Sequence, residues 1–190
     1  SVRVYKNYGK NNISIYSKIN KEDLYSKLHY ESEKIIQKKF LGHTSKYIIL
    51  RMGNVFGFKK YESLKEVDNN LINSFCYFAL KKNKILINNG NVERSFIPSQ
   101  IFVDVINFII RKNFFKNSIF NFFYKNLSLK DVVETIQKRA KIKLNLNIKL
   151  VINNYTAKET KLKYFNNLIK LKPSNKRFFF EIDQILKNLN

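Results

Sequence analysis

The sequence predicts an α/β protein, and three stretches carry that prediction. Asp23 to Phe40 (DLYSKLHYESEKIIQKKF) places Leu28, Ile35, Ile36 and Phe40 at roughly helical spacing and reads as one amphipathic helix. Tyr47 to Arg51 (YIILR) is a continuous apolar run of strand length, the pattern of a buried parallel strand. Ser1 to Tyr5 (SVRVY) alternates apolar residues at Val2 and Val4 and fits the tail of a strand. Strand, helix and strand at this spacing form a right-handed crossover unit.

Between the first two elements, Lys6 to Glu22 carries Gly9 with Asn, Ser and Lys, which suits a surface loop with a short β segment near Ile13 to Tyr16. Asp23 is the N-cap expected for the long helix, with Ser26 or Glu22 as rivals, and Gly42 stands where the helix stops. MGNVFG, Met52 to Gly57, follows the strand at its carboxyl end, where open α/β sheets place ligands. A polar loop, Phe58 to Asp68, leads to a helix from Asn70 to Lys82 with Leu71, Ile72, Phe75, Phe78, Ala79 and Leu80 on its apolar face. Ile85 to Ile87 is a short strand, Asn88 to Arg94 (NNGNVER) a turn, and Ser95 to Pro98 a short extended piece. Ser99 caps a helix through Ile110, Ile119 to Phe122 is a strand, and Ser128 caps a helix from Leu129 to about Ala140, with Asp131 in its first turn. From Lys138 to Lys149, lysines alternate with Ala140, Ile142, Leu144, Leu146 and Ile148 as in a half-exposed strand. A polar stretch precedes a last helix from about Phe180 to Leu189.

The 190 residues suffice for one core and argue against a second complete domain. Hydrophobic residues at 44% and aromatics at 15% exclude a disordered chain. The formal charge of +22 points by itself toward nucleic acid, but the lysines are scattered through every segment beside Asn and Ile, and no basic block is set apart. That is a composition bias, and nucleic acid is not the expected partner; the field still favours a phosphate-bearing small substrate. The one cysteine, Cys76, excludes an internal disulfide or a thiolate metal site, and no metal-ligand cluster is visible. No apolar run reaches the ~18 residues of a membrane span. With no signal-peptide pattern, a cytoplasmic setting is expected.

Tyr25, His29 and Glu33 recur every four residues and so share one face of the first long helix. The chain as a whole resembles the carboxyl-terminal portion of the extended short-chain dehydrogenase/reductases, the NAD-dependent epimerase/dehydratase family acting on nucleotide sugars. Ser1-Val2-Arg3-Val4-Tyr5 is similar to that family's Ser-x-x-Val-Tyr segment, and YIILRMGNVFG to its Leu-Arg and Asn-x-x-Gly pattern. Asn69-Asn70-Leu71-Ile72 resembles the start of the helix that contacts the nucleotide. NNGNVERSFIP resembles the stretch whose arginine grips the pyrophosphate, and Ser118 to Asn121 with Leu127-Ser128 the Tyr-Asn...Ser segment.

The resemblance implies a partial Rossmann-like fold, the carboxyl-terminal portion of a doubly wound parallel sheet, with a small α/β substrate-binding subdomain. Residues 1–58 would belong to the dinucleotide-binding domain and 59–190 mainly to the substrate-binding subdomain, with about 99–122 returning to the larger sheet. It implies NAD or NADP as cofactor, held mainly by an upstream half, so that this stretch alone would be inactive. It further implies a nucleotide-sugar substrate and a homodimer pairing through the tyrosine helix and the helix after Asn70. The residue roles it implies are Tyr25 as general acid/base with His29 where the family has lysine, and Ser1 hydrogen-bonded to the reacting oxygen. Tyr25, His29 and Asn54 would contact the cofactor, and Asn54, Asn70 and Arg94 the substrate. Two other registers stand beside this one: Ser26-Lys27-Leu28 with Glu31, which puts Asp23 in the tyrosine's place, and the literal Tyr-x-x-x-Lys pair Tyr30 and Lys34. A non-catalytic member that binds a nucleotide sugar or a protein is the alternative function, with His29 marking the lost chemistry.

Overall fold

The computed structural model describes residues 1–6, 13–58, 70–153 and 171–189. The loop around Gly9, most of the expected loop from Phe58 to Asp68, Asn69 and the polar stretch before the last helix lie outside the described residues.

The chain opens on a 3-10 turn, Val2–Val4, followed by helix α1 (Leu24–Lys39), strands β1 (Ile48–Met52) and β2 (Asn54–Phe56), and helix α2 (Leu71–Lys82). Strands β3 (Lys84–Asn88) and β4 (Glu93–Pro98) lead into α3 (Ser99–Arg111), then β5 (Ser118–Phe122) and β6 (Lys125–Ser128). Helix α4 (Leu129–Leu144), strand β7 (Lys149–Asn153) and helix α5 (Asn175–Leu189) complete it. Parallel pairing occurs in three places: β1 with β5, β2 with β4, and β3 with β7, while β6 joins β4 antiparallel. The class is α/β, as the sequence predicts.

The described residues form three apolar clusters, a small one of Val2, Val4, Tyr5, Ile13 and Phe123 and two larger ones. Helix α3 lays Ile101, Val105 and Ile109 on the β1–β5 pair, where Phe122 is buried and Ile48, Leu50 and Met52 pack against them. The larger core joins α2, α4 and α5 to β3 and β7 through Ile72, Phe75, Cys76, Ile136, Ile182 and Ile185. Burial drives the Cys76 thiol pKa upward, so it behaves there as a small apolar group. Asparagine serves where glycine is scarce: Asn83 and Asn145 take the left-handed cap positions ending α2 and α4.

Several local expectations are corrected. Ser1 to Tyr5 is not a strand tail; Ser1 Oγ accepts from the Arg3 amide at 3.3 Å and the next residues coil into the 3-10 turn. Val2, Val4 and Tyr5 are all buried, so the apolar alternation reported inward-facing positions without distinguishing a strand from a tight turn. The crossover expected between that strand and β1 is therefore absent, and β1 runs beside β5 instead. Ile13 is buried, but Ser14 to Ser17 turn back on themselves with the Ser17 amide on the Ser14 carbonyl.

Ser99 does not cap α3. Its hydroxyl donates to Glu181 of α5, whose Oε1 also accepts from the Gln100 amide at 3.0 Å, so a carboxylate from another helix satisfies that N-terminus. Lys138 to Leu144 is the end of α4, not a strand. Ala140 and Leu144 lie one turn apart on its inner side and Ile142 points out, a two-residue alternation that one helical turn also accommodates. The α1 face read as apolar is exposed, with Leu28 at 57%, Ile35 at 67% and Ile36 at 40%. Phe78 of α2 is likewise 39% exposed. What α1 buries in this chain is Ser26 and Glu33.

Candidate active site

Helix α1 is seated by polar contacts. Asp23 accepts the Ser26 amide at 2.9 Å as N-cap, and the Ser26 hydroxyl donates to the Arg3 carbonyl at 2.7 Å, tying the first helical turn to the 3-10 turn. Two turns along the helix from Tyr25, Glu33 meets Arg51 of β1 in a forked ion pair, Nη2 to Oε2 at 2.7 Å and Nε to Oε1 at 3.0 Å. Both side chains are under 10% exposed. Arg51 Nη1 also donates to Tyr5 Oη at 2.9 Å, and Tyr5 in turn donates to Asn121 Oδ1 at 2.6 Å. Burial raises the Tyr5 pKa, the Arg51 contacts opposing it only in part, so the phenol keeps its proton for Asn121. Four segments are thereby fixed together, and the face of α1 that carries Tyr25 can point only one way.

That way is into a cleft of about 880 Å3, lined by Ser1, Arg3, Tyr25, Asn54, Asn70 and Arg94 together with the chain from Met52 to Val55. Such a volume suits a small-molecule ligand. Gly53 allows the floor to close: a β-carbon there would stand 2.7 Å from the Ser95 carbonyl oxygen, so only glycine lets this segment approach β4. Asn54 Nδ2 donates to that same carbonyl at 3.1 Å. Asn70 sits at the N-cap of α2 but does not cap it; its Nδ2 donates to the Val55 carbonyl. The buried Oδ1 of Asn70 has no hydrogen-bond partner among the described residues, a group that asks for a donor from a ligand or a water. Arg94 reaches the cleft from the start of β4, with Nη1 donating to the Glu93 carbonyl at 2.9 Å.

Of the six residues singled out from sequence, the fold brings Ser1, Tyr25, Asn54, Asn70 and Arg94 to this one cleft. Tyr25 is 43% exposed and not turned into the core. His29 is not among the lining residues but stands beside Tyr25, with ring centroids 4.4 Å apart. Its pKa is lowered, chiefly by partial burial, against an opposing pull from Glu33. Near neutral pH it is therefore an uncharged imidazole. The Ser1 hydroxyl is engaged as the cap of the 3-10 turn.

In the other two registers, Asp23 is committed to capping α1, and Tyr30 stacks with Lys34 4.6 Å from its ring outside the cleft lining. Arg3 is the residue that sequence reasoning missed: its guanidinium carbon lies 4.3 Å from the Tyr25 ring centroid. In a strand it would point away from Val2 and Val4, and only the 3-10 turn swings it onto α1.

No family model matches the chain, and no curated protein matches it in sequence. Solved structures match it in fold. An NAD-dependent NDP-hexosamine 5,6-dehydratase of tunicamycin biosynthesis aligns with TM-score 0.73 and 15% identity over 99% of this chain and 60% of its own. The UDP-N-acetylglucosamine 4-epimerase of Bacillus cereus aligns with TM-score 0.73 and 15% identity over 98% and 61%. The protein RMD of Pseudomonas aeruginosa, complexed with NADPH, gives 0.69 and 13% over 93% and 59%. The chain spans about 60% of the length of these structures. The fold that the sequence resemblance implied, that of extended short-chain dehydrogenase/reductase epimerases and dehydratases, is the fold the chain has. No described helix is long and apolar enough to cross a membrane.

Proposed function

We propose that the chain forms the substrate-handling part of an NAD(P)-dependent epimerase, dehydratase or reductase acting on a nucleotide sugar, with Tyr25 as general acid/base. What supports this reading is the single cleft in which Ser1, Tyr25, Asn54, Asn70 and Arg94 meet from five separate segments, in a fold shared with enzymes of that class. The orphaned Asn70 Oδ1 and the two guanidinium groups fit a ligand that offers hydroxyl or amide donors at one end and phosphates at the other.

In this mechanism the Tyr25 phenolate oxygen takes the proton of a sugar hydroxyl, becoming the phenol, as the carbon that bears the hydroxyl becomes a carbonyl, and the phenol returns that proton in the reverse step. Ser1 holds the reacting oxygen, and Tyr25, His29 and Asn54 are the residues of this chain that would hold the nicotinamide, which when bound would supply the hydride acceptor or donor. Arg94 grips the pyrophosphate and Asn70 the substrate beside it. Residues 1–58 contribute to the dinucleotide-binding domain and 59–190 mainly to the substrate-binding subdomain, with about 99–122 in the larger sheet, a division supported by the β1–β5 pair. Two copies pair through α1 and α2, supported by the exposed Leu28, Ile35 and Ile36, and the setting is cytoplasmic with no nucleic-acid partner. The uncharged His29 favours one other reading, a member that binds nucleotide sugar without turning it over.

The test is turnover by the complete protein, followed as conversion of each nucleotide sugar in a panel by chromatography and mass spectrometry, before and after Arg94→Ala. Loss of a charged hydrogen bond to phosphate weakens binding by about 1.5–3 kcal/mol, so KM rises roughly 10- to 150-fold while kcat stays within a few-fold. An unchanged KM would remove Arg94 from the substrate site, and absence of turnover across the panel with binding intact would favour the non-catalytic member.

A further inference from the structure

The α1 face that carries Tyr25 has no lysine one turn on. Position 29 is an imidazole, and Lys27 lies two residues along and off that face. A fixed positive charge nonetheless stands against the phenol ring, and it comes from outside the helix. The Arg3 guanidinium carbon is 4.3 Å from the Tyr25 ring centroid, and both side chains line the same cleft. The contact is built in: the Arg3 carbonyl is held by the Ser26 hydroxyl at 2.7 Å, and Ser26 is the residue after Tyr25. We propose that Arg3 is a positioning residue for Tyr25, a guanidinium from the 3-10 turn doing for the phenol what a cation on α1 would do, by stabilising its anionic form. The proposal rests on the reading of Tyr25 as general acid/base for its catalytic meaning, though not for its geometry.

The charges around the ring set how large the effect is. Arg3 faces it from the 3-10 turn. His29 faces it from α1 at 4.4 Å between rings, and its pKa is lowered, chiefly by partial burial, so at neutral pH it adds no charge. Asp23, at the start of α1, lies 3.8 Å from Arg3 Nη2 and offsets part of its charge. Arg94 borders the same cleft, and Glu33, further along α1, is engaged by Arg51. An arginine stays charged at every working pH, whereas an imidazole with a lowered pKa does not. Because Tyr25 is 43% exposed, solvent screens part of the influence of Arg3.

The experiment reads the phenol directly. Tetranitromethane nitrates phenolate and not phenol, so the pH profile of nitration at Tyr25, followed by mass spectrometry on the complete protein, reports its ionisation without any substrate. Arg3→Gln, which keeps the backbone contact to Ser26, moves the midpoint of that profile up. Arg3→Lys restores most of the shift, and His29→Gln leaves the midpoint in place. Asp23→Asn, which retains an N-cap, moves it the other way by a smaller amount and serves if Arg3→Gln does not fold. A profile for Arg3→Gln that superimposes on the parent, or a shift produced by His29→Gln instead, overturns the proposal. Turnover of Tyr25→Phe decides the catalytic reading separately: if that variant keeps full activity while Arg3→Gln still shifts the nitration profile, the electrostatic pairing stands and the enzymatic role falls.

Discussion

Tyr25→Phe lowers turnover by roughly a thousandfold, within the 10²–10⁴ range that a positioned acid/base contributes, and leaves the fold unchanged. The ring is 43% exposed, and its hydroxyl has no protein hydrogen-bond partner among the described residues. Removing that oxygen therefore costs about 0.5 kcal/mol of stability or less. The stacking of the ring on His29 and under Arg3 survives in phenylalanine, so KM moves little. This separation of effects is what distinguishes a chemical role from a packing role. Turnover within threefold of the parent would take Tyr25 out of the reaction, and a large fall in thermal midpoint would make it a structural residue.

The largest effect on stability comes from breaking the pair between α1 and β1. Glu33→Leu leaves the Arg51 guanidinium, 4% exposed, without its carboxylate, and an uncompensated buried charge costs about 3–5 kcal/mol. For a chain of this size that lowers the thermal midpoint by about 10 °C. Replacing both partners, Glu33→Leu with Arg51→Met, recovers most of the loss because neither charge is then stranded. Tyr5 keeps its bond to Asn121 in the double variant. Thermal unfolding of the two variants side by side checks this; a single variant within 1 kcal/mol of the parent would mean that water reaches Arg51. Since the same pair sets the rotation of α1, Glu33→Leu also weakens substrate turnover beyond what its stability loss explains.

Much of this was readable from residues alone. The capped start of α1, the apolar run of β1 and Ser128 as the cap of α4 with Asp131 in its first turn each follow from local chemistry, and each appears in the fold. The ion pair was half visible: an arginine ending an apolar strand requires a partner, and Glu33 lies on the same helical face as Tyr25. Errors arose where a local pattern has two solutions. Val2 and Val4 face inward in a 3-10 turn as well as they would in a strand, and Ala140 and Leu144 fit one helical turn as well as alternate strand positions. The exposed Leu28, Ile35 and Ile36 show the opposite failure, since periodicity marks an apolar side without saying what covers it. Arg3 was out of reach for a different reason: its placement over Tyr25 depends on a turn that the sequence pattern read as extended.

The sequence separation of the segments that hold the cleft in place has a kinetic consequence. Tyr47 and Asn117, at one end of the β1–β5 pair, are joined across 70 positions, and Tyr5 reaches Asn121 across 116. Chain closure over such spans is entropically costly before any contact rewards it, while α4 and β7 are near neighbours in sequence, Gln137 Nε2 donating to the Ile148 carbonyl across 11 positions. The α4–β7 unit is thus expected to form early and the segment bearing Tyr5, Tyr25 and Arg51 to dock late. Pulsed hydrogen exchange during refolding would read this order directly, with amides of α4 protected before those of β1; simultaneous protection would contradict it. A late-docking cleft wall is also the part a partly folded chain lacks, so ligand binding at the cleft would be lost before helical content under mild denaturation.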